Sequence, residues 1–236
     1  MKKNILIILL LRLVSLQYSN AQTHVQTTTF FQYPSTSKTI SLAFPGVSTA
    51  KNLIVVHLDW DEQSTSVSSV KDNKGNTYHR INGPTNWDGS NYRAELWYAY
   101  NITGGSTTIT AKLANNTNSF FQIYISEYSG IVWAADPLDQ QSVAIGSSTA
   151  VSSGAKTITY NNELIYGASI GASGNLSTGA GFTNRTGANS NVIEDKKALT
   201  VGSYSSTFTS AGGNWIAQMA TFVSLNSLIT LPVDLL

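Results

Sequence analysis

The chain has 236 residues, no cysteine, 11% charged residues and a formal net charge of +1. The lack of cysteine excludes disulfides, cysteine-based zinc sites and thiol nucleophiles, so stability has to come from a hydrophobic core. The low charge and the lack of a clustered basic face argue against a nucleic-acid partner.

The N-terminus has the pattern of an export signal. Lys2 and Lys3 precede an apolar run over residues 5–16, and Ala21 ends a small-residue cleavage site. The run is too short to span a bilayer, which takes roughly 20 residues. We therefore predict that residues 1–21 are a signal peptide, that the mature chain has no membrane span, and that the protein is extracellular or on the outer cell surface.

After this leader, short apolar segments alternate with Gly, Asn, Ser and Pro. They are rich in Val, Ile, Thr, Tyr and Phe, and no stretch keeps the 3.6-residue period of a helix. The sequence therefore predicts a single all-β domain over residues 22–226. The predicted strands are 39–44, 53–60, 67–72, 77–81, 93–100, 107–113, 120–128, 156–160, 164–170, 182–185, 198–204, 206–209 and 215–223.

The early and late strands resemble each other in order. "GNTYHRI" is echoed by "GAGFTNR", "RAELWYAY" by "KKALTVGSY", and "SFFQIYISEYS" by "NWIAQMATFVS". This order predicts two pseudo-repeated halves, about 37–130 and 154–224. Since each half alone would leave an apolar face bare, we expect them to form one antiparallel two-sheet sandwich with a jelly-roll-like topology.

The stretch "NLIVVHLDWDEQ" runs from an apolar strand into three acids. Alternate side chains of a strand share a face, so His57, Asp59 and Asp61 face one way and Trp60 faces the core. The simplest interpretation is a solvated strand end. One alternative is a metal site at Asp59 and Asp61, for Ca²⁺ or, with the imidazole, Zn²⁺. Another is a glycoside hydrolase that uses Asp59, Asp61 or Glu62.

Neither alternative has a complete pattern in the sequence. Ligands two positions apart on a strand lie roughly 6.5 Å apart, which is far for short Asp side chains to converge on one ion. The stretch also lacks the carboxylate pattern of jelly-roll β-glucanases, because "QSTS" follows Glu62 and brings no further carboxylate. We therefore predict no catalytic residues and no cofactor.

The loop "GPTNWDGSNY" combines flat aromatic rings with hydrogen-bonding groups. Trp87 and Tyr92 surround Asp88 and Asn91, a mixture that suits sugar rings or an extended peptide. Trp97 on the following strand would be a second platform. We predict that these five residues bind ligand. The alternative is that Trp87 folds over a sheet edge as a lid.

Several motifs resemble a widespread family of poorly characterised bacterial extracellular β-sandwich modules. The shared patterns are "GN.Y" after a strand, "EYSG" near the middle and "W..Q.A.F" near the end, and the resemblance covers roughly residues 38–223. It implies location and architecture, and it carries no catalytic residues. The tail "LITLPVDLL" resembles the lead-in to the C-terminal sorting module of the type IX secretion route, so residues 227–236 are predicted to be a linker.

Together these features predict a secreted or cell-surface, non-catalytic module. Its expected partner is a polysaccharide, a cell-surface glycan or another surface polymer, as in an adhesin. A structural or adhesive spacer without a dedicated ligand is the alternative, and a glycoside hydrolase is a third hypothesis.

Overall fold

The structure is a computed structural model. It describes residues 21–89, 91–172, 175–186 and 191–228. Residues 1–20, nearly all of the predicted signal peptide, and residues 229–236 of the predicted linker lie outside the described residues. Within the described part the chain forms β-strands, loops and one short 3₁₀ helix, Leu225–Leu228, so the all-β prediction is confirmed. No helix in these ranges has the length and apolar character needed to cross a membrane.

The N-terminal half forms a five-stranded and a three-stranded antiparallel sheet. Its strands are β1 (Thr23–Gln32), β2 (Thr39–Ala43), β3 (Leu53–Trp60), β4 (Val67–Asp72), β5 (His79–Trp87), β6 (Tyr92–Ala99), β7 (Thr108–Leu113) and β8 (Phe121–Ser129). The larger sheet, with order β1-β8-β3-β6-β5, is called the N-terminal main sheet. The smaller, with order β2-β7-β4, is called the N-terminal cover sheet.

The C-terminal half has a similar pair of sheets. Its strands are β9 (Leu138–Gly146), β10 (Ala150–Ser152), β11 (Lys156–Thr157), β12 (Glu163–Gly171), β13 (Leu176–Thr178), β14 (Thr183–Asn184), β15 (Val192–Ala198), β16 (Ser203–Tyr204), β17 (Thr207–Ser210) and β18 (Trp215–Phe222). The C-terminal main sheet has the order β14-β15-β12-β18-β9, and the C-terminal cover sheet has the order β10-β17-β13. The short strands β11 and β16 pair separately.

The two main sheets have corresponding strand orders. One is β1-β8-β3-β6-β5, and the other, in the matching direction, is β9-β18-β12-β15-β14. The register corresponds as well, because Leu53 of β3 lies opposite Tyr128 of β8, and Leu164 of β12 lies opposite Phe222 of β18. The chain therefore builds the same arrangement of strands twice.

Each main sheet is covered on both faces. One face of the N-terminal main sheet contributes Val56 and Trp60 to a hydrophobic cluster with Ile109 of its cover sheet. The other face packs on the C-terminal main sheet, where the ring centroids of Tyr98 and Phe222 are 5.6 Å apart. Because both faces of β3 are covered, every one of its residues is buried, which explains its nearly continuous apolar sequence.

The C-terminal main sheet packs on its own cover sheet in the same way. Trp215 of β18 shares a cluster with Val151 and Phe208 of the cover sheet. The described strands thus form five sheets, where the sequence led us to expect two. Each half already covers one face of its own main sheet, and the halves meet through the faces that remain.

A chain of polar side chains crosses the interface between the main sheets. His57 Nε2 lies 2.8 Å from Gln218 Oε1, so the neutral imidazole donates to this carbonyl. The amide of Gln218 donates in turn to Asn82 Oδ1, and Asn82 Nδ2 lies 3.4 Å from Gln141 Oε1. The chain joins strands β3, β18, β5 and β9, and it ties the halves together with directional contacts.

Candidate functional site

The acidic stretch after β3 begins inside the protein. Asp59 is only 2% exposed, and His57 is fully buried, because the C-terminal main sheet covers this face of β3. The interpretation of these two residues as part of a solvated strand end is therefore wrong. Asp59 Oδ1 accepts a hydrogen bond of 3.2 Å from Trp87 Nε1. Burial raises the pKa of Asp59 well above its usual value, which favours the neutral acid.

Asp61 holds the loop that precedes β8. Its Oδ1 accepts hydrogen bonds from the backbone N–H groups of Asn118, at 3.0 Å, and Phe120, at 3.2 Å. Its Oδ2 accepts from the hydroxyl of Ser119. Glu62 Oε1 accepts the backbone N–H of Ser64 at 2.7 Å and so shapes the next turn. These carboxyl groups are engaged in local structure.

Phe120 is one ring in a continuous row of aromatic side chains. Tyr33 and Phe31 have centroids 5.9 Å apart and planes within 4° of parallel. Phe31 lies 5.5 Å from Phe120, Phe120 lies 5.5 Å from Tyr92, and Tyr92 lies 5.1 Å from Trp87. We call Tyr33, Phe31, Phe120, Tyr92 and Trp87 the aromatic row.

The accessibility of the aromatic row falls from one end to the other. Tyr33 is 65% exposed and Phe31 40% exposed, whereas Phe120 and Tyr92 are half-buried and Trp87 is 2% exposed. The acidic stretch supports the buried side of the row, since Asp59 binds Trp87 and Asp61 holds the loop of Phe120. The row therefore has a fixed inner end and an open outer end.

The three aromatic residues predicted to stack on a ligand differ in their exposure to solvent. Trp87 and Trp97 are 2% and 9% exposed, so neither indole face is open to a sugar ring. Trp97 Nε1 donates to Glu95 Oε2 at 2.7 Å, and the Arg80 guanidinium lies 5.3 Å from its ring centroid. Of the predicted aromatic residues, Tyr92 is the one whose ring reaches the surface.

Asp88 and Asn91 lie at the inner end of the aromatic row. Asn91 is exposed, and its backbone N–H donates to the carbonyl of Asp88 at 3.2 Å. Asp88 Oδ1 accepts a hydrogen bond of 2.6 Å from Asn214 Nδ2, which ties this loop to the C-terminal half. Both residues therefore border the row close to Tyr92.

The alternative metal site at Asp59 and Asp61 finds little support in their surroundings. Asp59 is buried against Trp87, and Asp61 is occupied by hydrogen bonds to the loop before β8. In the described ranges, no group of three or more His, Cys, Asp or Glu side chains is placed to hold a metal ion. These two carboxyl groups also serve different local structures, which weakens their interpretation as a catalytic pair.

A second open feature lies at the start of β5. A cavity of about 390 Å³ is lined by Gly75, Asn76, Thr77, His79, Tyr100, Asn101 and Thr103. The rings of His79 and Tyr100 are stacked with centroids 5.8 Å apart and an interplanar angle of 27°. We call it the His79 cavity. It combines aromatic rings with amide groups and contains no acid.

The sequence did not lead us to include Phe31, Tyr33 and Phe120 in the candidate site. Phe31 and Tyr33 are two positions apart, the spacing that places side chains on one face of an extended segment, and this was the available signal. Comparison of the chain with protein-family models, curated proteins and solved structures finds no match. The function is therefore inferred from the chain's own residues.

Proposed function

We propose that this protein is a secreted or cell-surface, non-catalytic module that binds a glycan or another surface polymer along the outer part of the aromatic row. Phe31, Tyr33 and Tyr92 would stack on the ligand. Asp88 and Asn91 would supply hydrogen bonds at the inner end of the row. Export by the N-terminal signal, and delivery by the secretion route that the tail resembles, are parts of the same proposal.

The architecture that we propose for this module is two jelly-roll-like sandwiches packed through their main sheets. The strand orders β1-β8-β3-β6-β5 and β2-β7-β4 support this proposal, because successive strands alternate between two sheets as they do in jelly rolls, with the hairpin of β5 and β6 within one sheet as the exception. The corresponding order of the C-terminal half supports it as well.

The exposed outer end of the aromatic row is the observation that carries the ligand proposal. Tyr33 and Phe31 present rings that are nearly parallel and well exposed. Rings of this kind bury apolar area against the C–H faces of sugars while polar neighbours set orientation. The inner end is held by Asp59 and Asp61, so a ligand would meet rings that are already in position.

A structural or adhesive spacer is the alternative function. It requires no ligand and predicts that substitutions in the aromatic row change no affinity. A glycoside hydrolase is the less favoured hypothesis, because Asp59 is held by Trp87 and Asp61 by the loop before β8.

The proposal is tested by screening the secreted protein on a glycan array and measuring affinity for the best ligand in Phe31→Ala, Tyr33→Ala and Tyr92→Ala variants. We expect each of the first two substitutions to weaken binding about two- to tenfold, since one aromatic contact contributes about 0.5–1.5 kcal/mol. Tyr160→Ala is the control, because Tyr160 is 42% exposed but lies in the C-terminal half away from the row. Unchanged affinity in all three row variants would place binding outside the aromatic row, and the absence of any ligand on the array would favour the spacer.

A further inference from the structure

A second cavity lies where the edge strand β1 meets β14 and β15. Its volume is about 250 Å³. Its lining includes His24, Tyr128, Thr183, Arg185, Lys196 and Lys197. We call it the cationic cavity. It is distinct from the aromatic row and from the His79 cavity.

Positive charge is concentrated at this place. Arg185, Lys196 and Lys197 line the cavity, whereas Asp195 is the one acid among the residues that line it. The whole chain has a formal net charge of only +1, so a local surplus of cations is a distinctive feature. A concave site with a net positive charge attracts anionic ligands.

The guanidinium of Arg185 is held in a defined orientation. Its Nε and Nη2 donate to the two carboxylate oxygens of Asp195, at 2.6 and 2.9 Å. Among the described residues, no hydrogen bond involves Nη1 of Arg185, which leaves this group for a ligand. The neighbouring Lys196 Nζ lies 5.4 Å from the ring centroid of Phe182, while Lys197 is exposed. The cavity thus combines one fixed cation with two longer, adaptable ones.

Tyr128 adds a buried donor to the wall of the cavity. Its hydroxyl is buried near the Asp195 carboxylate and makes no hydrogen bond of standard geometry among the described residues. Leaving such a group without a partner costs about 1–3 kcal/mol, so buried hydroxyls are nearly always paired. An acceptor oxygen from a ligand in the cavity would satisfy this hydroxyl.

The cationic cavity and the His79 cavity lie at corresponding positions of the two halves. Thr183 of β14 lies opposite Asp195, and His79 of β5 lies opposite Tyr98, at corresponding positions of the two main sheets. By the same register Lys197 corresponds to Tyr100. The same place therefore carries stacked rings in one half and cations in the other, which indicates different ligand chemistry.

We propose that the cationic cavity binds an oxyanion-bearing sugar of an acidic glycan, through a carboxylate or sulfate ester contacted by Arg185, Lys196, Lys197 and Tyr128. This assigns a second site and a charged ligand class beyond the proposed function of the aromatic row. The cavity is larger than an isolated oxyanion and lies just below the usual range of about 300–1,000 Å³ for small-molecule sites, which suits one substituted sugar ring.

The test is calorimetric titration of the whole secreted protein with three oligosaccharides. An oligogalacturonide carries carboxylates, a sulfated dextran oligosaccharide carries sulfate esters, and an unmodified dextran oligosaccharide is neutral. We expect one or both acidic probes to bind more tightly than the neutral one, with affinity that falls as salt is raised. The stronger acidic probe identifies the oxyanion.

Matched variants locate the binding. Lys196→Gln and Lys197→Gln are each expected to weaken the acidic probe about two- to fivefold, as for partly exposed charge pairs. Lys112→Gln is the control, because it removes the same charge from an exposed position on β7 in the other half. Tyr128→Phe is expected to weaken binding without lowering the melting temperature, since the hydroxyl it removes makes no hydrogen bond of standard geometry among the described residues.

Two results would overturn the proposal. One is the absence of binding by both acidic probes at low salt. The other is an equal loss of affinity in Lys112→Gln and Lys197→Gln, which would show diffuse attraction to charge. Neither result bears on the aromatic row, whose variants leave the cationic cavity intact.

Discussion

At the scale of single residues, the carboxyl group of Asp59 has a partner that explains its position. It lies between the main sheets and accepts the indole N–H of Trp87 at 3.2 Å. Since burial raises the pKa of Asp59 and so favours its neutral acid, an amide at this position would have nearly the same shape and the same acceptor for Trp87.

We therefore expect Asp59→Asn to change the free energy of unfolding by less than about 1 kcal/mol. Asp59→Ala should cost about 2–3 kcal/mol, because it leaves the buried indole N–H without a partner and opens a small cavity. Urea denaturation followed by tryptophan fluorescence measures both values. If the Asn variant were as unstable as the Ala variant, the folded protein would need an ionised carboxylate at this position.

His57 makes stability depend on pH. Burial lowers the pKa of His57 from 6.5 to about 4. Between these values the unfolded chain binds a proton that the folded protein does not, so this group reduces stability as pH falls from about 6.5 to about 4. The full loss is about 3 kcal/mol.

Buried carboxyl groups act in the opposite direction. Burial raises the pKa of Glu194 to about 8 and that of Glu163 to about 7, so their contribution is present below about pH 4.5 and is lost as pH rises through those values. The difference between wild type and His57→Gln isolates the histidine. We expect that difference in unfolding free energy to shift by about 3 kcal/mol, toward the variant, between pH 6.5 and 4.

The control variant is His79→Gln, which replaces an exposed histidine and is measured over the same pH range. A wild-type and His57→Gln pair with parallel pH profiles would contradict a neutral, buried imidazole.

At the scale of elements, locally encoded strands could be predicted from the sequence. Predicted strands 53–60 and 67–72 coincide with β3 and β4, because their apolar residues and flanking turns are contiguous in the chain. The echo of "GNTYHRI" in "GAGFTNR" also has the register of the structure, since it places His79 opposite the position of Thr183.

Strands that are stabilised by residues distant in the sequence were not predicted correctly. The echo paired "RAELWYAY" with residues 196–204, but the strand that corresponds to β6 is β15, Val192–Ala198. The predicted strand at this place was 198–204, which overlaps β15 only at Ala198. In the fold Asp195 is paired with Arg185, and burial raises the pKa of Glu194, so the strand can be largely buried despite its charges.

Part of the candidate site could not be predicted from the sequence, because it also depends on contacts between distant strands. The strand β1 was not predicted, because its Thr- and Gln-rich sequence gains order by pairing with β8. Phe31 and Phe120 meet only through that pairing. The contribution of Asp59 was equally invisible, because its partner Trp87 comes from another strand.

At the scale of the whole molecule, the halves share one hydrophobic interface. Leu53 and Tyr98 from one main sheet form a cluster with Tyr166 and Phe222 from the other. A separated half would expose this face to water, at a cost of about 25 cal/mol for each Å² of apolar surface. The halves should therefore unfold together.

This coupling can be tested with a substitution confined to the C-terminal half. A Cβ atom at Gly179 would overlap the backbone carbonyl of Thr207, so Gly179→Ala forces a local rearrangement. Overpacking of this kind costs about 1–3 kcal/mol, which lowers the melting temperature of a domain of this size by about 2–4 °C per kcal/mol. Gly202→Ala is the control, because its nearest contact would be an ordinary 3.5 Å.

The measurement compares two probes of unfolding in each variant. Tryptophan fluorescence reports mainly on the N-terminal half. Four of the five tryptophans precede β9, and the fifth, Trp215, lies in β18 of the C-terminal half. Far-ultraviolet circular dichroism reports on both halves. We expect Gly179→Ala to lower both midpoints equally, because the N-terminal main sheet loses its cover when the C-terminal one unfolds. A fluorescence midpoint that stayed at the wild-type value while the dichroism midpoint fell would show that the halves are independent.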